Sequence, residues 1–310
     1  VVEIIGVDVG GTKIAVGIVD VDTGAVQSVK RLPTAPWRGG QAVLRDVAAL
    51  VREVTAGRSV GVGVSLPELV DQHGTVLSGV TVDWTNADLQ RALGGSGPVV
   101  LASDVRAAAL AEARFGDCDD LPSFAYLSVG TGVSSTFVLD GKPWAGVNGC
   151  AVVAASGGRS LTCPDCGLKF DDIPENIASG AGVSAAYGRR TGGNEVDTRE
   201  VLQRAGLGDV DAQAVITAGG HALGTIAARI VDLLDPHAIV VGGGLGLAQG
   251  LYREAFESSL RSHIWADCAR NIPLLDSRVG ELAPLIGAAL YFDAARRGAD
   301  LTARGQLEDL

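Results

Sequence analysis

The residues that usually announce a specialised chemistry are scarce in this chain. Methionine is absent, and aromatic side chains make up 5% of the 310 residues. Any core must therefore be built mainly from Val, Leu, Ile and Ala. Cysteines number five (Cys118, Cys150, Cys163, Cys166 and Cys268), an odd and scattered set. Such a set argues against a disulfide framework and for a reducing compartment, so a cytoplasmic location is expected. Basic residues are outnumbered 25 to 36, giving a net charge of −11. A surface of that sign repels nucleic acid and anionic membranes, and neither is expected as a partner. No uncharged apolar run reaches the ~18 residues that would suggest a membrane helix. The opening segment VVEIIGVDVGG has neither the basic start nor the cleavage site of a signal peptide.

Apolar residues are plentiful at 47%, enough for a core in each of two ordinary domains. Glycine is also abundant, with 43 residues, but without the period of collagen. It clusters after apolar runs, where tight turns need it. Residues 2–9 read as a buried strand, Gly10-Gly11-Thr12 as a turn, and Lys13–Asp20 as the returning strand. Apolar residues at Val43, Leu44, Val47, Leu50, Val51 and Val54 predict a helix over 40–56. Residues 59–66 read as a strand and 86–94 as a short helix. A strand over Val99–Ala102 then leads into Asp104 and an alanine-rich helix over 105–116. A second hairpin follows, Phe124–Val129 and Val133–Leu139, turning at Gly130-Thr131-Gly132. The two hairpins match without gaps at an offset of 120 residues: Asp8 with Ser128, Gly10 with Gly130, Asp20 with Asp140. That suggests an internal duplication. Residues 145–180 read as a long irregular loop. Helices are expected over 181–191, 197–206, 211–234, 250–263 and 284–297, with a strand over Ala238–Val241 entering Gly242-Gly243-Gly244. This alternation predicts an α/β fold of two domains, 1–117 and 118–283, the first completed by the 284–297 helix.

Two glycine hairpins and one glycine-rich strand–helix junction offer backbone N–H groups to a phosphate without Cβ obstruction. Thr12 and Thr131 add hydroxyls and Lys13 a cation. Asp8, just before the first turn, suits a hydrated magnesium ion. Each motif alone is commonly structural. Asp104 has two readings: a helix cap, or a carboxylate that takes a proton.

The order of these motifs resembles the ROK family of bacterial sugar kinases, within the actin and hexokinase (ribonuclease H-like) fold. The matching segments are Asp8–Lys13, Val99–Glu112, Val129–Val133, Leu139–Lys142, Gly146–Gly149, Glu175–Gly180 and Ile239–Gly244. The resemblance implies two domains closing over a cleft, and commonly a homodimer. It implies ATP phosphates between the hairpins (Asp8, Gly10, Gly11, Thr12, Lys13, Gly130, Thr131, Gly132) and adenosine near Gly242, Gly243 and Gly244. Asp104 corresponds to the family's general base. Ser103, Arg106, Asn148, Gly149 and Glu175 fall at the sugar.

Departures from the family concentrate at the acceptor. Asn-Asp-Ala-Asn becomes Ser103-Asp104-Val105-Arg106. Arg106 faces an anionic or polar group, or pairs with a surface acid. The family's sugar-binding Glu and His become Val153 and Ser156. Cys163-Pro164-Asp165-Cys166 keeps half of a zinc motif, which Asp171 or Asp172 would have to complete; a metal-free loop is the alternative. These losses point to an amino sugar or cyclitol acceptor, as in antibiotic biosynthesis, in place of a plain hexose. Glu112 and Arg114 read as a solvated face or an ordinary ion pair, and the four histidines as structural or solvent-facing. A non-enzymatic sugar sensor of the same fold is the competing class. A repressor is disfavoured because the phosphate motif of the first hairpin begins at residue 8.

Overall fold

The structure, a computed structural model, describes residues 2–56, 60–118, 120–152, 154–155, 159–162, 169–193 and 196–301. Cys163, Cys166, Val153 and Ser156 lie outside the described residues. The secondary structure runs β1 (Glu3–Val9), β2 (Lys13–Asp20), β3 (Val26–Pro33), α1 (Gly40–Thr55), β4 (Val62–Leu66), α2 (Asn86–Leu93), β5 (Val99–Ser103) and α3 (Asp104–Phe115). It continues through β6 (Ser123–Val129), β7 (Val133–Leu139), β8 (Lys142–Pro143), β9 (Arg159–Thr162), β10 (Lys169–Asp172), α4 (Glu175–Ala178), α5 (Gly180–Thr191) and α6 (Thr198–Gly206). The last elements are α7 (Val210–Leu234), β11 (Ile239–Gly242), α8 (Leu251–His263), β12 (Leu274–Asp276) and α9 (Ala283–Arg297).

The chain divides into two compact units. The first contains Val1–Phe124, Thr136–Val152 and Ser277–Leu310; the second contains Ala125–Ser135 and Val153–Asp276. The first unit holds a sheet of order β3-β2-β1-β4-β5. β1 and β2 form the antiparallel hairpin, from Glu3↔Asp20 to Val9↔Ile14. β4 lies parallel to β1, with Asp8↔Ser65, and β5 lies parallel to β4, with Leu66↔Ser103. Parallel register therefore gathers Asp8, Ser65 and Ser103–Asp104 at one edge, the carboxyl ends of the strands. In open α/β sheets ligands bind there. The apolar stripe of α1 is buried, Val43, Leu44, Val47, Leu50, Val51 and Val54 all facing inward. α9 packs on β1, β4, β5 and α3. Its Gly287 lies so close to α3 that a Cβ there would stand 1.8 Å from the Ala107 carbonyl oxygen.

In the second unit β11 runs parallel between β6 and β12, with Gly242↔Ser128, and β7 lies on the other side of β6. β7 continues into the first unit, where Val138 and Leu139 pair with β8. The core of the second unit joins Leu127, Val129, Val183, Ile216, Leu223, Tyr252 and Phe256. α7 is long and apolar enough by composition to cross a membrane, yet its apolar face lies in this core against α8.

Six of these elements escape the sequence reading: β3, β8, β9, β10, α4 and β12. β3 is an edge strand whose residues are mostly exposed, so it lacks the apolar alternation that marks a strand. β9 and β10 pair as an antiparallel hairpin inside the segment read as irregular, and α4 follows them.

Candidate active site

The two glycine hairpins occupy positions 120 residues apart in both of their strands. At the first, the Gly10 amide donates to the Lys13 carbonyl at 2.8 Å. Thr34 braces the same turn, its hydroxyl donating to the Gly10 carbonyl at 2.6 Å. Gly10, Gly11 and Thr12 stay open to solvent in part or whole. Lys13 is not a free cation: its ammonium is ion-paired with Glu281, which also has Arg31 at 3.9 Å.

The second turn is held differently. Gly130 donates to Gly132 at 2.9 Å, and the first amides of α5 grip the turn from behind, Gly180 donating to the Gly130 carbonyl at 2.8 Å and Ala181 to that of Thr131 at 3.2 Å. The Glu175 carboxylate accepts from the Val133 amide at 2.9 Å. Glu175, assigned by resemblance to the sugar, is thus engaged at the glycine turn of its own unit. The Gly242–Gly244 turn abuts the same place: Leu245 and Gly246 both donate to the Val129 carbonyl, at 3.1 and 3.0 Å. Gly243 has φ +84°, and a Cβ there would lie 2.3 Å from that carbonyl oxygen. Only glycine lets the two turns approach so closely.

Asp104 is the first residue of α3. The cap position is Ser103, buried and without a side-chain capping bond, so the cap reading of Asp104 does not hold. The Asp104 carboxylate accepts from the next amide, Val105, at 2.6 Å. It keeps a part-exposed edge in an otherwise dense setting. Burial, then the charge of Asp8, push its carboxyl up to about 7. The Val105 amide opposes that rise, Glu68 adds to it, and Arg106 opposes it. Asp8 is 6% exposed and accepts from the Ser65 hydroxyl at 2.9 Å. Burial raises it to about 6, against the Ser65 bond and the charge of Lys13.

Asp8 is buried and Asp104 half-buried, and the charge of Asp8 makes Asp104 harder to ionise. Among the described residues no three carboxylate, thiol or imidazole groups converge as a metal cage. The donor set fits a cation that keeps most of its water and takes its remaining ligands from phosphate oxygens. Cys163 and Cys166 lie outside the described residues.

Two buried charges of the first unit are engaged by backbone groups. Glu68, which the sequence reading passed over, is 4% exposed. It accepts from the Ser78 hydroxyl and from the amides of Val80 (2.9 Å), Thr81 (2.6 Å) and Val82 (2.9 Å). Its only signal in the sequence is an acid inside the apolar run SLPELV. Arg106 is 2% exposed and donates to the carbonyls of Gly149 (2.9 Å), Val70 and Asp71 (3.4 Å). The expectation that it pairs with a surface acid is corrected: it sits beneath the surface, where its donors meet converging carbonyls. Asn148 is exposed and Gly149 buried beside it. Glu112 is likewise no solvated residue. It is 1% exposed and accepts from the Ser277 hydroxyl and the amides of Arg278 (3.2 Å) and Val279 (2.9 Å).

Residues 4–295 match the ROK family. The chain belongs to that family. Among its ROK relatives, N-acetylmannosamine kinase of Shigella boydii serotype 18 is 31% identical over 297 residues, covering 92% of this chain and 97% of the relative. The same enzyme of Escherichia coli O157:H7 is 31% identical over 299 residues, covering 92% of this chain and 97% of the relative. Among solved structures, a ROK glucokinase from Streptomyces griseus in complex with glucose and AMPPNP superposes with TM-score 0.81 at 27% identity, covering 96% of this chain and all of that one. The actin-like α/β architecture of the ROK kinases is therefore the architecture of this chain.

Proposed function

We propose that this chain transfers the γ-phosphoryl group of ATP to a hydroxyl of an N-acylated amino sugar, with Asp104 as general base. It is an ATP-dependent carbohydrate kinase, as its full-length relatives are. The observation that carries the catalytic assignment is Asp104 itself: a carboxyl held near pH 7 at the carboxyl ends of three strands, beside Asp8. A hydroxyl is a poor nucleophile until its proton leaves, and a base is most effective when its pKa lies near the working pH. The acceptor hydroxyl donates its hydrogen bond to Asp104, and the proton passes to that carboxylate as the new O–P bond forms. Gly10–Lys13 and Gly130–Gly132 present amides to the phosphate oxygens, and Gly242–Gly244 receives the adenosine side. Release of Lys13 from Glu281 would free a cation for the same phosphates. Magnesium, held through water by Asp8, supplies charge neutralisation for the transferred phosphoryl group.

The choice of an amino sugar rests on the named activity of the relatives and on Val153 and Ser156, which stand where the family carries polar sugar ligands. An ADP-release assay across N-acetylmannosamine, glucose, other amino sugars and cyclitols tests it. Turnover strongest on N-acetylmannosamine is expected; clear preference for glucose would reject the amino sugar, and preference for a cyclitol would favour an antibiotic-pathway acceptor. We further propose a cytoplasmic homodimer, which sedimentation of the purified chain would check. Zinc at Cys163 and Cys166 is decided by metal analysis of the same preparation.

A further inference from the structure

Arg106 lies two residues after Asp104 on the first turn of α3, and its charge is unusually placed. Its hydrogen bonds run to main-chain carbonyls of two segments far apart in sequence: Val70 and Asp71 on one side, Gly149 on the other. The Nε atom is buried without an acceptor at bonding distance, and the Tyr291 hydroxyl of α9 lies beside the guanidinium. A buried cation is retained at high cost in desolvation unless its donors are matched, and here the planar fork matches converging carbonyls.

The two segments it joins also touch each other. Gly149 has φ +70°, and a Cβ there would stand 2.4 Å from the Asp71 Cα and 2.7 Å from the Val70 carbonyl oxygen. Val70 and Asp71 open a tight turn in which the Asp71 carboxylate accepts from the His73 and Thr75 amides, each at 2.8 Å. Asn148, beside Gly149, is exposed. One side chain of the helix that opens with Asp104 thus fastens both loops to that helix.

We propose that Arg106 is a positioning residue that sets the acceptor-binding wall, formed by the Val70–Thr75 turn and the Asn148–Gly149 turn, at a fixed distance from Asp104. This rests on the reading that the acceptor hydroxyl is delivered to Asp104. Arg106 itself touches no substrate. Its effect is assigned to the acceptor because Asn148 and Gly149 are positions that the family resemblance places at the sugar, while the turns proposed for phosphate are Gly10–Lys13 and Gly130–Gly132. A displacement of the wall misplaces the hydroxyl relative to the carboxylate, to which transfer rates are sensitive.

The test uses the full chain with ATP and N-acetylmannosamine. In Arg106→Met the KM for N-acetylmannosamine is expected to rise ~10-fold or more while the KM for ATP stays within about 2-fold, a split that a general loss of folded protein does not give. Arg106→Lys should recover part of the loss, since an ammonium can reach one or two of the carbonyls. Gly149→Ala separates the loops without touching the charge and should change the same KM in the same direction. Hydrogen exchange supplies a readout independent of activity: amides of residues 70–75 and 148–151 should exchange faster in Arg106→Met than in the parent. An unchanged acceptor KM, an equal rise in both KM values, or unchanged exchange in both segments overturns the proposal. If Arg106→Met does not fold, Arg106→Lys and Gly149→Ala are judged by the same two readouts. If the parent turns over none of the acceptors, the functional reading fails, and the exchange data alone decide whether Arg106 ties the loops.

Discussion

Asp104 and Asp8 show how a residue type acquires a task from its surroundings. Both are aspartates at strand ends, and burial raises both, to about 7 and about 6. Asp104 should serve as base only when ionised. Activity at limiting acceptor, kcat/KM, is expected to climb from pH 5 and level off above about 7, following the free enzyme. A profile flat between pH 5 and 8 would contradict that assignment. Asp104→Asn should lower kcat by ~10²–10⁴ while acceptor binding by calorimetry persists. The same substitution bears on stability. The folded protein keeps on Asp104 a proton that an unfolded chain would release at about its ordinary pKa of 3.8. Ionised Asp104 therefore weakens the fold increasingly as pH rises from about 4 to about 7. Asp104→Asn should melt above the parent at pH 8 and gain least near pH 4, as thermal scans at the two pH values would show.

At the scale of elements, loops are fixed by buried acids that sequence alone does not flag. Glu68 accepts four hydrogen bonds, three of them from the amides of consecutive residues Val80, Thr81 and Val82. Glu68→Gln replaces one acceptor oxygen by a donor facing those groups and should cost ~1–3 kcal/mol in urea unfolding. Glu112 holds residues 277–279 ahead of α9 in the same way. The contact of α9 with α3 is tighter still. In Gly287→Ala the new methyl collides with the Ala107 backbone, 1.8 Å away, and a backbone cannot step aside as a flexible side chain can. The helix that presents Asp104 must then shift. A loss of ~1–3 kcal/mol of stability is expected, with kcat falling alongside it. A variant of parental stability and activity would show that α9 does not set the position of α3. Helices with a sharp apolar period, such as α1, were legible in the sequence to within a residue or two. β3, with its exposed residues, and the β9–β10 hairpin were not, because neither carries that period.

For the molecule as a whole, two sets of observations can be separated. The net charge of −11 and the scarcity of aromatics are properties of the composition alone. So is the order of the glycine motifs, and the match of residues 4–295 to the ROK family follows that order. Ligand binding should register globally: an ATP analogue with magnesium should raise the melting temperature progressively with concentration, by ~2.7 kcal/mol of stability at 100 times its Kd. No shift at any concentration would count against nucleotide binding. The sequence by itself determined the α/β fold, both glycine hairpins and the carboxylate at the head of the alanine helix, since these depend on local period, turn chemistry and motif order. The neighbours of each charge were decided only in three dimensions. Glu281 takes Lys13, Glu175 takes the Val133 amide, and Arg106 takes three carbonyls from loops about 35 and 43 residues away in sequence. A side chain's partners depend on which distant backbone groups the fold leaves unpaired, and no local pattern encodes that.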